Sequence, residues 1–111
     1  MDFGEQSRRH SERRHAPRFA YRTGLKIEWG SATLLASTAN ISASGMFIES
    51  HDPLWVGAGF SATLNLESPL HVDCFVKRIE PGRGMGVTVN VPEASQQRYQ
   101  DLLLSLSTSG H

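Results

Sequence analysis

A chain of 111 residues, 39% hydrophobic and 20% charged, has the size and make-up of one globular domain rather than a disordered or fibrous protein. It has no apolar run near the roughly 20 residues that span a bilayer and no apolar signal-peptide core, and its one cysteine, Cys74, has no internal disulfide partner; membrane insertion is excluded and a reducing cytoplasm is expected. The net charge of zero hides an asymmetry: residues 1–27 hold seven basic and three acidic residues, and residues 28–111 hold four basic and eight acidic, so the N-terminal arm is the part suited to an anionic partner.

Residues 1–18 carry almost no apolar content and no helical or strand period, and Pro17 disfavours helix at Ala16. They read as an arm that is disordered without a partner, with the folded body over 19–111. From Tyr21 to Trp29 the pattern alternates, with Leu25, Ile27 and Trp29 on one face. The Gly30-Ser31 turn predicts a hairpin into a second strand, about Ala32 to Ile41. A polar turn at Ser42–Gly45 leads to a short strand, Met46 to Glu49, and a loop rich in Gly and Pro surrounds Leu54, Trp55 and Val56.

Phe60 to Leu66 alternates strictly and predicts a fourth strand. A fifth, His71 to Ile79, places Val72, Cys74, Val76 and, by continued alternation, Arg78 on one face. Met85 to Val91 is the sixth. The period then changes: Pro92 suits a helix start, Glu93 suits the N-terminal dipole, and Tyr99, Leu102, Leu103 and Leu106 form the apolar stripe of a helix over about 93–106. Six short antiparallel strands in about 70 residues favour a small barrel, which also removes exposed edges.

Two motifs carry the chemistry. In Arg13-Arg14-His15-Ala16-Pro17-Arg18, guanidinium groups offer planar forks that match phosphate and the O6/N7 edge of guanine. The three-residue spacing occurs as Arg9/Arg13, Arg14/Arg18 and Arg18/Arg22, and spacing alone does not choose among these pairs. In Asn40-Ile41-Ser42-Ala43-Ser44-Gly45, Asn40 and Ser42 can shape a turn or face a ligand, and Gly45 allows positive φ or close approach to the backbone. Taken alone, the second motif is an ordinary polar turn.

Catalysis finds no nucleophile, base and orienting group together, so no catalytic residue is assigned and the chain reads as a non-enzyme. Cys74 suits a strand core better than a nucleophile, and the scattered histidines do not make a metal site. Nucleic acid is a weaker partner class, because the body is acidic and lacks a basic, aromatic-studded groove. A protein adaptor that binds no ligand is the other alternative, with Trp55 as a candidate contact.

The ordered pair of motifs resembles the PilZ domain, the bacterial receptor module for cyclic di-GMP. Its hallmark is two arginines separated by three residues, followed by Asp or Asn, any residue, Ser, two residues and Gly. The adjacent arginines and the proline of residues 13–18 favour Arg14 and Arg18 as the pair, and Asn40, Ser42 and Gly45 fill the second motif without departure. Met46-Phe47-Ile48, Gly84-Met85-Gly86-Val87 and the leucine-rich terminal helix are also family-like, so the resemblance covers about residues 12–106. It implies a six-stranded antiparallel barrel with a C-terminal helix and cyclic di-GMP as ligand, without a cofactor. It also implies that Arg14 and Arg18 contact phosphate and guanine, that Asn40, Ser42 and Gly45 receive the other guanine face, and that Arg13 favours a stacked ligand dimer. The family acts in motility and biofilm control through an effector protein; this chain's own effector, and whether it is a monomer or a homodimer, are left open.

Overall fold

A computed structural model describes residues 17–109. The expected strands are all present: β2 (Gly24–Trp29), β3 (Ala32–Ser42), β4 (Gly45–Glu49), β5 (Gly59–Leu64), β6 (Leu70–Glu80) and β7 (Gly84–Asn90). They are preceded by a three-residue strand, β1 (Arg18–Ala20), that the sequence pattern does not reveal, and followed by α1 (Glu93–Ser109). All pairings are antiparallel, in the order β3-β2-β5-β6-β7-β4, and β4 returns to β3 to close a six-stranded barrel. No helix among the described residues is long and apolar enough to cross a membrane.

Closure follows from the length of β3. One of its edges pairs first with β2 and then, at its end, with β1, in the register Arg18↔Ser42 and Ala20↔Asn40. The other edge pairs with β4. The break between β1 and β2 is spanned by two backbone bonds, Tyr21 N–H to Ala39 C=O and Thr38 N–H to Thr23 C=O, and by one side chain: the Thr38 hydroxyl donates to Tyr21 C=O at 2.5 Å and accepts from Thr23 N–H at 3.0 Å. Thr38 is fully buried, so this pair of bonds satisfies a polar group that would otherwise be costly inside the barrel.

The interior is built by strict alternation. Leu25 and Ile27, Ile41, Met46 and Ile48, Phe60, Ala62 and Leu64, Val72, Cys74 and Val76, and Met85 and Val87 all point inward and are buried. Each large side chain contributes about 1.5–3 kcal/mol. Tyr99 from α1 joins this core, with Leu102, Leu103 and Leu106 partly buried beside it. The helix is also tied to the β5–β6 connection, where the Arg98 guanidinium donates to the carbonyls of Ser68 and Pro69.

Two irregularities re-aim side chains. Register shifts lie between Thr38 and Asn40 in β3, and between Val76 and Arg78 in β6. Each inserts one extra residue, Ala39 or Lys77, as a β-bulge does. The second one overturns the simple alternation: Arg78 faces outward and is solvent-exposed, because the extra residue shifts the phase after Val76.

Candidate ligand site on the barrel exterior

Of the six candidate binding residues, Arg18, Asn40, Ser42 and Gly45 come together, while Arg13 and Arg14 lie outside the described residues, as does most of the arm. Ile41 and Phe19 point into the core, so their neighbours Asn40, Ser42 and Arg18 occupy the outer surface. Arg18 Nη1 donates to Ser42 Oγ at 3.4 Å. The same Oγ accepts from Gly45 N–H and donates to Gly45 C=O, both at 3.2 Å, which closes the turn between β3 and β4. Ser42 is thus a fixed link between turn and guanidinium.

Gly45 is needed for close approach and not for an unusual backbone angle. It is absent from the positive-φ residues, and a Cβ built on it would lie 2.7 Å from Val87 C=O on the neighbouring strand. Arg18 Nη2 comes within 3.9 Å of the same point. A side chain here would push against the backbone of the strand, while leaving Arg18 at ordinary contact distance.

Asn40 presents the most telling atom. Its Oδ1 is buried and has no hydrogen-bond partner. A buried acceptor left unmatched costs roughly 1–3 kcal/mol, so the site carries a standing demand for a donor. Asn40 pairs with Phe47, which is outward-facing yet buried. The guanidinium groups of Arg78 and Arg83 lie 5.9 and 5.1 Å from the Phe47 ring centre. Arg78 and Arg83 also share Glu80, which holds this cover in place.

Beside the turn lies a pocket of about 140 Å³ whose wall includes Arg18, Gly45, Lys77, Arg78, Gly86 and Thr88. Three cationic side chains from β1 and β6 therefore converge on one small concavity. Arg78 pairs with Glu80, but neither Arg18 nor Lys77 has a carboxylate partner among the described residues. Such a concavity suits an anion of phosphate size. The alternation does not mark Lys77 as a pocket residue and puts Arg78 on the inner face; the bulge that turns Arg78 outward leaves no mark in the alternation.

The helix takes part as well. Tyr99 Oη donates to Ser42 C=O at 2.7 Å, so α1 holds the serine of the turn from behind. Burial pushes the Tyr99 phenol well above its usual range, with the charge on Cys74 adding to the rise and the nearby Arg18 opposing it. The hydroxyl stays protonated as a donor at neutral pH. Cys74 itself is buried on β6, and burial, reinforced by Asp73, pushes its thiol from 9.0 up to about 12, which removes it as a nucleophile. No group of metal-binding side chains occurs among the described residues.

The sequence pattern of the PilZ domain matches residues 12–105. No curated protein matches the sequence. Among solved structures, the chain resembles the Bacillus subtilis inhibitor of motility MotI/DgrA, with a TM-score of 0.72 at 18% identity over 89% of this chain and 53% of that one. The chain therefore spans about half the length of that neighbour. It also resembles the PilZ domain with c-di-GMP of YcgR from Escherichia coli (TM-score 0.69, 18% identity, 88% of this chain and 94% of that one). A third neighbour is the PilZ domain of CeSA from a cellulose-synthesizing bacterium (TM-score 0.65, 15% identity, 86% and 100%). At these identities the structures speak for the fold, and with the pattern running through nearly the whole chain, this protein belongs to the PilZ domain family.

Proposed function

We propose that the chain is a non-enzymatic receptor for cyclic di-GMP, bound on the outer surface of the barrel where β1, β3, β4, β6 and β7 meet. The observation that carries this reading is the buried, unpartnered Oδ1 of Asn40, two residues before the Ser42 that Arg18 bonds, on the same outer face as the pocket lined by Arg18, Lys77 and Arg78. A guanine base offers N–H donors to Asn40 along one edge and an O6/N7 acceptor pair to a guanidinium along another. The two phosphates take the positive charge. Arg13 and Arg14, carried on the arm just before Pro17, supply further guanidinium groups over the ligand, and a stacked ligand dimer is the stoichiometry that Arg13 favours.

Binding then fixes the arm against the barrel. Ordering costs about 1–2 kcal/mol per backbone residue, so several charge-assisted bonds must act together to offset it. The fixed arm creates a new surface next to Phe19 and α1, which an effector protein reads. The bound bacterial second messenger of the YcgR neighbour supports the ligand assignment.

The test is selectivity. Cyclic di-GMP is expected to bind and raise the melting temperature, while cyclic di-AMP, which lacks the guanine N1–H and N2–H₂ donors, does not. Asn40→Ala should erase this discrimination by weakening the guanine ligand at least tenfold. Equal binding of both dinucleotides, unchanged in Asn40→Ala, would rule out the proposed guanine contact.

A further inference from the structure

A second concavity lies further along the same strand pair, β6 and β7, that lines the cationic pocket. It measures about 460 Å³, and its wall includes Glu28, Trp29, Phe60, Asp73 and Phe75. The register explains how it forms. Glu28, Ser61 and Asp73 stand in one row across β2, β5 and β6, and Gly59, Phe75 and Thr88 stand in the next row across β5, β6 and β7. Phe75 lies over Gly59, where any Cβ would come within 2.8 Å of the ring, and it is 51% exposed. Trp29 is held at the rim by an edge contact with Trp55, itself 57% exposed. The groove is thus aromatic in its walls and acidic in its charge. Among the described residues neither carboxylate is held by an arginine: Glu28 has Lys26 at 4.0 Å, Asp73 has His71 at 3.5 Å and accepts from the Ser61 hydroxyl at 3.4 Å, and both are about half exposed.

Guanidinium groups fit such a groove better than any other side chain, since they stack on aromatic faces and bond carboxylates with the same atoms. The chain carries four of them, Arg8, Arg9, Arg13 and Arg14, in the segment that leads into Pro17. Without an anion these groups are repelled from the cationic pocket, where Arg18, Lys77 and Arg78 already converge. The groove is within their reach. Thr88 lines the cationic pocket and pairs with Phe75, which lines the groove, so the two sites share a strand pair. From β1 through β3 to β4 is two strand spacings and from Gly45 through Thr88 to Phe75 two more, about 20 Å along the surface, and the nine residues from Arg8 to Pro17 extend to about 30 Å before their side chains are counted.

We infer that, in the absence of an anionic ligand, the arginine segment before Pro17 docks in the acidic aromatic groove of Glu28, Asp73 and Phe75, and that the ligand draws it across to the neighbouring cationic pocket. The docking stands on charge and geometry alone; the release rests on the cyclic di-GMP reading. The contacts are exposed ion pairs, each weak, so the docked form exchanges readily and taxes ligand affinity only a few-fold.

The experiment is paramagnetic broadening in the full chain with a spin label at Ser11→Cys, which is modified selectively because Cys74 is buried. The expected result at low salt is strong broadening of the Glu28, Ser61, Asp73 and Phe75 amides and the Trp29 indole. It should be lost at high salt and in Glu28→Gln/Asp73→Asn, and that variant should bind cyclic di-GMP about threefold more tightly. Saturating ligand should move the broadening to Gly45 and Thr88. Uniform weak broadening, or broadening confined to α1, would overturn the docking. So would broadening transferred from a labelled copy to an unlabelled one, which would assign the segment to a second molecule. If the groove pattern is present but no ligand binds, the cyclic di-GMP reading fails and the docking stands; if ligand binds to a chain that never shows the groove pattern, the reverse holds.

Discussion

At the scale of single residues, two glycines on adjacent strands differ in what an added side chain would meet. Gly45 and Gly86 would each bring a Cβ to 2.7 Å from a neighbour, but the neighbour of Gly45 is the Val87 backbone carbonyl, whereas that of Gly86 is the flexible guanidinium of Arg78. Gly45→Ala should therefore destabilise the fold by about 1–3 kcal/mol, as overpacking against a rigid wall does. Gly86→Ala should cost less than about 1 kcal/mol while displacing Arg78 and weakening anion binding. Chemical denaturation and ligand titration of both variants check this contrast. The motif residues of the turn were legible in the sequence because their roles are local: Ser42 and Gly45 are three residues apart and bond each other. Arg78 was not, because its outward face depends on a bulge that only the pairing of β6 with β7 defines, and Lys77, outward already by alternation, belongs to no local motif.

At the scale of elements, strand existence was readable wherever one face meets the core, as in the alternation of Phe60, Ala62 and Leu64. β1 escaped because three residues hold too little pattern, and its identity as a strand comes from partners 20 to 24 positions away on β3. Thr38 ties that short strand into the barrel through Tyr21 and Thr23. Thr38→Val keeps the shape and removes both bonds, and should cost roughly 1–2 kcal/mol by leaving two part-buried backbone groups without this partner. Faster amide exchange at Thr23 should accompany the loss. The helix is the other element that bears on the site. Tyr99→Phe deletes the bond to Ser42 C=O, with an expected cost of about 1–2 kcal/mol and a weakened ligand response. A variant as stable and as responsive as the parent would show that α1 only covers the core.

For the whole molecule, the positive charge is concentrated in the N-terminal segment of an otherwise acidic chain, so binding of a doubly anionic ligand there should weaken as salt rises. The buried thiol and phenol set an alkaline limit. Both have folded-state pKa values raised above their unfolded values, so the stability they contribute is full below about pH 9 and is lost as pH rises. For Cys74 the window runs from 9.0 to about 12, and Cys74→Ala should flatten the fall in denaturation midpoint across it. The measurement that bears most directly on the central claim is calorimetric titration of the chain with cyclic di-GMP, at low and moderate salt, beside the Arg14→Ala/Arg18→Ala double variant. Micromolar or tighter binding that weakens with salt and vanishes in the variant is the predicted result. Undetectable heat with no thermal stabilisation, or binding that the double variant retains in full, would contradict it.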